Sequence, residues 1–294
     1  MTELFDYSGR TVFVAGGTSG INLGVAQAFA RAGASVAVLS RSREKVDAAV
    51  ESLSEYGGWA VGFAADVRDY EGVAAALAAA REQFGYIDVV VSGAAGNFPA
   101  ASADMSARAF SAVVDVDLKG TYHVLRAAFE HLRKPGASII NISAPQSSIA
   151  MELQAHACAA KAGVDMVTRV CALEWGAAGV RVNAVAPGPI SGTEGMARLA
   201  PTPELEQIVT ESVPLGRYGT AQEIADCCLW LGSPMASYVT GAVIPVDGGW
   251  SLGGASQLFS SVRKLFAEKP APVPARAAAP APAPAPTAGG AQTG

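Results

Sequence analysis

The chain has 294 residues, of which 50% are hydrophobic and 16% charged, so we expect one large core in a single domain over 1–254. The formal net charge of −5 argues against nucleic acid or a membrane surface as the main partner, because both attract an excess of basic residues. The four cysteines and three histidines have no metal-ligand spacing, so we predict no metal site.

The first predicted elements are a strand at 11–15 (TVFVA), a glycine-rich turn at 16–24 (GGTSGINLG) and a helix at 25–32. Glycines let backbone N–H groups approach an anion, and the positive end of the helix dipole points at the same place. We therefore predict a dinucleotide-binding turn, although a structural tight turn is the alternative for this motif alone. The predicted binding residues of the turn are Gly16, Thr18, Ser19, Gly20 and Ile21.

The turn departs from the usual dinucleotide fingerprint at its third glycine position. Asn22 occupies that position, and Gly24 follows two residues later. The usual glycine permits close packing of the helix on the strand. We therefore expect Asn22 either to widen the turn or to hydrogen-bond locally.

The second predicted strand, 35–39, ends in Ser40 and Arg41, about twenty residues after the turn, where the ribose of a dinucleotide lies. NAD sites usually carry an acid there, whereas a guanidinium suits the 2′-phosphate of NADP. The sequence therefore predicts that Ser40 and Arg41 bind NADPH.

The rest of the domain alternates strands and helices. Further strands are predicted at 59–65, 87–92, 137–143, 180–186 and 242–246. Helical patterns lie at 43–56, 69–84, 109–133, 152–176, 199–213 and 220–232, and 187–193 is a predicted loop. This alternation indicates an α/β fold: a single doubly wound Rossmann domain with a seven-stranded parallel sheet. Because ligands bind beyond the carboxyl ends of such strands, we expect the site at that edge.

Two segments after the domain differ from it in composition. Residues 255–269 predict a helical extension that docks on the domain or a neighbouring subunit, or else binds a partner or membrane surface. Residues 270–294 are rich in Ala and Pro and predict a disordered tail. The first nine residues carry two acids and no apolar core, and no run reaches the ~18 apolar residues of a membrane span, so we expect a cytoplasmic protein.

Three motifs are more specific than the glycine turn: AAGNF at 94–98, HACAAK at 156–161 and PGPISGTEG at 187–195. With them, residues 8–250 resemble the short-chain dehydrogenase/reductase family, and most closely its peroxisomal-type 2,4-dienoyl-CoA reductases. In this family the residue that matches Asp66 binds the adenine amine. The alternative for Asp66 in this chain is an ordinary charged residue at the surface. The further cofactor contacts that the resemblance implies are Asp66, Val67, Gly93, Ala94, Lys161, Pro187, Gly188, Ile190 and Thr193.

Two positions depart from the wider family, which reduces carbonyls with a Tyr four residues before the Lys and a Ser thirteen before that Tyr. Here they hold Ala157 and Ala144. Because the tyrosine hydroxyl is the usual proton donor, ordinary ketone reduction lacks its acid in this chain. The peroxisomal-type dienoyl reductases resemble the chain in this loss and in having an Asp at the position of Asp117. The resemblance therefore implies an acid made of Asp117, Lys161 and a bound water.

The resemblance also implies the reaction, which is NADPH-dependent reduction of a 2,4-dienoyl-CoA to a 3-enoyl-CoA. Hydride is expected at the δ carbon, and the resulting dienolate takes a proton at the α carbon. Lys161 would also bind the nicotinamide ribose, and Asn97 with backbone donors would hold the thioester oxygen. The implied acyl-CoA contacts are Arg68, Asn97, Phe98, Ser106 and Arg198.

Other readings of the site stay open. The chain could reduce another conjugated or carbonyl substrate, or could be a non-catalytic NADP-binding protein, although such a protein needs neither Asp117 nor Lys161. His156 lies beside Ala157 and could supply the acid, yet a lone His near a helix start is more often structural. Because the resembled family pairs its fourth and fifth helices and its last strand across two-fold axes, we also expect a homotetramer.

Overall fold

Seven parallel strands form the sheet in the part of the chain that the computed structural model describes, which is residues 5–253 with Phe259 and Val262. The strands are β1 (Thr11–Ala15), β2 (Ser35–Ser40), β3 (Ala60–Ala64), β4 (Val89–Ser92), β5 (Ser138–Ile142), β6 (Arg181–Pro187) and β7 (Val243–Val246). Their order across the sheet is β3-β2-β1-β4-β5-β6-β7. This architecture confirms the predicted doubly wound Rossmann domain.

Helices cover both faces of the sheet. They are α1 (Gly20–Arg31), α2 (Arg43–Ser54), α3 (Tyr70–Phe84), α4 (Ala107–Val114), α5 (Gly120–Ala128), α6 (Ala155–Trp175), α7 (Glu194–Leu199), α8 (Pro203–Ser212) and α9 (Ala221–Gly232). Alternate residues of β1 belong to different cores: Val12 packs on one face and Phe13 on the other. Because both faces are covered, every residue of β1 is buried, and the four residues after Thr11 are apolar.

The predicted helix at 109–133 is interrupted. Helix α4 ends at Val114, a π-helical turn spans Asp115–Lys119, and α5 follows. The N–H of Gly120 donates to the carbonyl of Asp115, five residues earlier. Such turns recur at functional sites, and this one carries the buried carboxylate of Asp117, which is 2% exposed.

Other boundaries also differ from the predictions. Helix α6 begins at Ala155 rather than at 152, because Leu153 has a φ of 65°, outside the right-handed helical region. The predicted helix at 199–213 corresponds to α8, which begins later, after its threonine cap Thr202, and the separate short helix α7 precedes it with its own cap, Thr193. The segment between β6 and α7 is a loop, as predicted, and Ile190 in it forms an isolated bridge with Gly219.

Only two residues of the predicted extension 255–269 are described. Phe259 and Val262 are helical and buried in an apolar cluster that includes Trp250 and Val209. The rest of 255–269 and the predicted tail 270–294 lie outside the described residues, so both stay predictions. Among the described helices, none has the length and apolar character needed to cross a bilayer.

Candidate active site

The turn between β1 and α1 opens into a groove of about 240 Å³ at the carboxyl edge of the sheet. Gly16 and Gly20 have φ angles of 81° and 53°, in the left-handed region that glycine tolerates. A Cβ on Gly16 would lie 2.8 Å from the backbone nitrogen of Ala94. Because Gly16 and Gly20 have no side chains, backbone atoms line the groove at these positions beside the N-terminus of α1. This arrangement fits the pyrophosphate of a dinucleotide.

Most of the predicted cofactor residues line this groove. They are Gly16, Thr18, Ser19, Ser40, Arg41, Asp66, Val67, Gly93 and Ala94. Lys45 also lines it, and sequence reasoning missed this residue, although it lies four positions after Arg41 at the start of α2. Two cations and no acid at the end of β2 suit a phosphate on the adenosine ribose.

Asp66 is held by the neighbouring Arg68. The Arg68 Nε and Nη2 atoms donate to the Asp66 carboxylate at 3.0 and 2.6 Å. These hydrogen bonds, with a smaller contribution from the charge of Arg41, hold the pKa of Asp66 below its usual value. Arg68 lines neither the groove nor the cavity described next, so the structure places this predicted acyl-CoA residue beside the dinucleotide groove.

A second cavity, of about 380 Å³, adjoins the groove and shares Asn22 and Gly93 with it. It brings together ten further predicted site residues: Gly20, Ile21, Asn97, Phe98, Lys161, Pro187, Gly188, Ile190, Thr193 and Arg198. Its apolar wall includes Met196, Leu199, Trp250 and Phe259. An apolar cavity with a few convergent polar groups is typical of a small-molecule site and suits an acyl chain.

A buried ion pair lies at this cavity. Asp117 Oδ1 accepts from the Gly96 N–H at 2.8 Å, and its Oδ2 lies 3.2 Å from Lys161 Nζ. Lys161 is 8% exposed, lines the cavity, and donates to the carbonyl of Ile142 at 3.0 Å. Because the ammonium has three N–H groups and two are engaged, one remains for a ligand. The structure thus brings the predicted acid residues together.

No hydroxyl replaces the usual tyrosine and serine. Ala157 is buried and Ala144 lines the second cavity. The neighbouring Ser143 also lines the cavity, but its hydroxyl donates to the buried carboxylate of Asp165 at 2.5 Å. The Ser143 hydroxyl is therefore already engaged and does not take the place of the tyrosine acid.

His156 lies behind the cavity wall and does not line either cavity. Its ring is fully buried, and its Nδ1 accepts from the Ala157 N–H at 2.8 Å. The ring packs edge-on against Phe98, with centroids 4.5 Å apart. This placement supports the structural reading of His156, as a residue that holds Phe98 against the cavity.

The loop after β4 is attached to the start of α6 by a side-chain amide that sequence reasoning missed. Asn97 Nδ2 donates to Gln154 Oε1 at 2.5 Å, and both residues line the second cavity. The Arg198 guanidinium donates to the carbonyl of Asn97 at 3.4 Å. Ser106 is placed elsewhere: its hydroxyl accepts from Ala109 N as the cap of α4, and it lines neither cavity.

Among the described residues, no group of three or more His, Cys, Asp or Glu side chains has an arrangement that could hold a metal ion. The four cysteines are free, and burial raises the pKa of the Cys171 and Cys227 thiols to about 11. The recognisable chemistry therefore lies in the groove and the adjoining cavity.

Curated proteins of known activity are similar over most of the chain. The peroxisomal 2,4-dienoyl-CoA reductase [(3E)-enoyl-CoA-producing] of Pongo abelii is 44% identical over 243 residues, which cover 82% of this chain and 83% of that protein. The Arabidopsis thaliana protein of the same name is 41% identical over 251 residues, covering 82% and 84%.

Solved structures and a family model agree with these relatives. A citronellol catabolism dehydrogenase from Pseudomonas aeruginosa superposes with a TM-score of 0.73 at 36% identity, covering 83% of this chain and 96% of that one. A levodione reductase gives a TM-score of 0.79 at 30% identity, covering 84% and 99%. The family model described as enoyl-(acyl carrier protein) reductase matches residues 15–251. The chain therefore belongs to the short-chain dehydrogenase/reductase family of oxidoreductases.

Proposed function

We propose that this enzyme reduces a 2,4-dienoyl-CoA to a 3-enoyl-CoA with NADPH. The observation that carries the proposal is the buried pair of Asp117 and Lys161 beside an apolar cavity in which Ala157 replaces the tyrosine acid. The names of the similar reductases from Pongo abelii and Arabidopsis thaliana support the same substrate class. The cations Arg41 and Lys45 in the groove support NADPH rather than NADH.

A bound NADPH supplies the hydride for this reduction. The Lys161 ammonium lines the cavity and stabilises the negative charge that develops on the conjugated thioester. Asp117, fixed by the Gly96 N–H and by Lys161, orients a water that delivers the proton to the α carbon, and the hydroxide that remains is stabilised by the Lys161 ammonium until solvent reprotonates it. Phe98 and Trp250 line the cavity and limit the access of bulk water.

Parallel assays of NADPH oxidation with a 2,4-dienoyl-CoA and with a 3-ketoacyl-CoA test this function. We expect turnover of the dienoyl substrate and little or none of the ketoacyl substrate, because the cavity lacks a hydroxyl acid. Faster reduction of the ketoacyl substrate would instead favour a carbonyl reductase. If neither substrate is reduced but NADPH binds, the chain is an NADP-binding protein with another substrate or none.

Arg41→Ala is expected to weaken NADPH binding about tenfold or more and to leave NADH binding unchanged, because loss of a charge-assisted hydrogen bond to phosphate costs about 1.5–3 kcal/mol. Fluorescence titration with each cofactor measures the two affinities. Arg43→Ala is the matched control, since Arg43 pairs with Asp47 on the surface and does not line the groove. Equal losses for NADPH and NADH in the Arg41 variant would refute the phosphate role.

We further propose a homotetramer in which α5 and α6 form one interface. Apolar side chains are exposed on these helices: Tyr122 is 51%, Met166 55% and Leu173 84% exposed. We expect the double variant Met166→Lys/Leu173→Lys to have a lower assembly mass by light scattering, because burial of two ammonium groups is unfavourable. Trp59→Lys is the control. Trp59 is also exposed, but it precedes β3 at one edge of the sheet and lies outside the proposed interface, so this variant should keep the wild-type assembly mass. A monomeric wild type at micromolar concentration would contradict the proposal.

The cellular location of the enzyme stays a prediction. Its sequence supports a cytoplasmic location, whereas the two similar reductases are named as peroxisomal.

A further inference from the structure

Asn22 replaces the third glycine of the dinucleotide turn and connects that turn to the end of β4. Its Nδ2 donates to the carbonyl of Gly93 at 2.7 Å, across 71 positions of sequence. The side chain is nine-tenths buried and lines both the groove and the second cavity. The carboxamide therefore lies at the boundary that a dinucleotide must cross.

Gly93 is matched to this side chain. A Cβ on Gly93 would lie 2.2, 2.6 and 2.7 Å from the Oδ1, Nδ2 and Cγ atoms of Asn22, which are its three nearest atoms. The φ angle of Gly93 lies outside the left-handed region, so its backbone conformation would accept alanine. The three nearest atoms all belong to the Asn22 carboxamide. Asn22 therefore occupies the space that a side chain at position 93 would fill.

The Asn22 contact acts on the loop that carries the catalytic geometry. The segment that follows Gly93 provides Ala94, whose backbone packs against Gly16, and Gly96, whose N–H donates to Asp117. Asn22 thus fixes the start of a four-residue segment whose other end holds the Asp117 carboxylate. Both the floor of the dinucleotide groove and the position of the acid depend on this segment.

The same side chain also carries a cost to folding. Asn22 Oδ1 is buried and has no hydrogen-bond partner among the described residues. A buried acceptor without a partner destabilises the folded state. The hydrogen bond from Asn22 Nδ2 to Gly93 therefore forms although the other polar atom of the same carboxamide is left without a partner.

We propose that Asn22, paired with Gly93, is a positioning residue for the dinucleotide, which it serves by fixing the loop after β4 against the glycine turn. The proposal rests on the proposed NADPH binding. Because Arg41, the proposed 2′-phosphate residue, takes no part in the contact between Asn22 and Gly93, we expect loss of that contact to affect NADPH and NADH equally.

A double-mutant cycle tests the pairing and the role together. We expect Asn22→Ala to weaken both NADPH and NADH about fivefold, the factor that corresponds to one buried hydrogen bond. Gly93→Ala in the wild type should weaken both cofactors by about tenfold or more, because the added Cβ displaces the carboxamide. In an Asn22→Gly background the same Gly93→Ala change should cost less than threefold, since the space is then free.

Melting temperature is measured for every variant alongside cofactor titration. Gln27→Ala is the matched control, because it removes another side-chain amide of α1. Gln27 Nε2 donates to Ser52 Oγ at 2.9 Å, and neither residue lines the groove or the second cavity. It should lower the melting temperature slightly and leave cofactor affinity unchanged.

The outcomes separate the pairing from the proposed function. Unchanged cofactor affinity in Asn22→Ala would overturn the positioning role, and an equal cost of Gly93→Ala in both backgrounds would overturn the pairing. A wild type that binds neither cofactor would refute the proposed function and the positioning role with it. In that case, coupling in melting temperature between positions 22 and 93 would still support the pairing.

Discussion

Asp117→Ala is expected to lower the turnover of a 2,4-dienoyl-CoA by about 10²–10⁴, the usual contribution of one general acid, while NADPH affinity stays near the wild-type value. The reason is that Asp117 does not line the dinucleotide groove, whereas it contacts Lys161, which lines the second cavity, so the proposed acid role can be lost without a change in the groove. Steady-state kinetics and cofactor titration of the same preparation measure the two quantities.

Two further variants make this result specific. Asp117→Asn retains an oxygen for the Gly96 N–H but removes the charge that pairs with the buried Lys161 ammonium, so it should be less stable than the wild type and turn over slowly. Asp115→Ala is the matched control, because Asp115 lies in the same π-helical turn and pairs with Lys119 at the surface. Near wild-type turnover by Asp117→Ala would contradict the proposed acid, and His156 would be the next residue to test.

Lys161→Ala is expected to lose both turnover and cofactor affinity. The ammonium lines the cavity, where we propose that it stabilises the developing negative charge and donates to the nicotinamide ribose. Its removal also leaves the Asp117 carboxylate buried without its cation, which costs about 3–5 kcal/mol of the free energy of unfolding. A combined loss in titration, kinetics and denaturant unfolding is therefore the expected result.

A second substitution separates the catalytic role of Lys161 from its structural one. Lys161→Met/Asp117→Asn removes both charges, so it should regain most of the stability that Lys161→Ala loses, but none of the turnover. Lys119→Ala serves as a control for loss of a surface lysine, since Lys119 is paired with Asp115. If the double variant is stable and turns over at a wild-type rate, the role of this pair in the reaction is wrong.

The sequence by itself determined the fold and most of the site. Strands buried on both faces are largely apolar, as β1 is after Thr11, and helices lie between them, so the parallel sheet can be predicted from local periodicity. Its carboxyl edge then follows from topology, which is why Gly16 and Arg41 were expected at that edge, and both line the groove. The replacement of the tyrosine by Ala157 was likewise visible in the sequence.

The spacing of apolar residues was less informative about helix interruptions and about residues whose place in the site depends on packing between helices. The π-helical turn at Asp115–Lys119 keeps the apolar spacing of a long helix, so periodicity predicted an unbroken helix over 109–133. Lys45 and Gln154 were missed for a related reason: each is an ordinary helical or cap residue in sequence, and its place in the site depends on how the helix packs.

Only the tertiary structure decided what Asn22 does. The sequence predicted either a wider turn or a local hydrogen bond, whereas the side chain bonds to Gly93 at the end of a neighbouring strand. Likewise, the sequence placed Asp117 and Lys161 in one site, but the 3.2 Å contact and the Gly96 N–H that holds the carboxylate required coordinates. Local spacing predicts elements because it acts within one segment, whereas contacts between segments distant in sequence depend on the packing of the whole sheet and its helices.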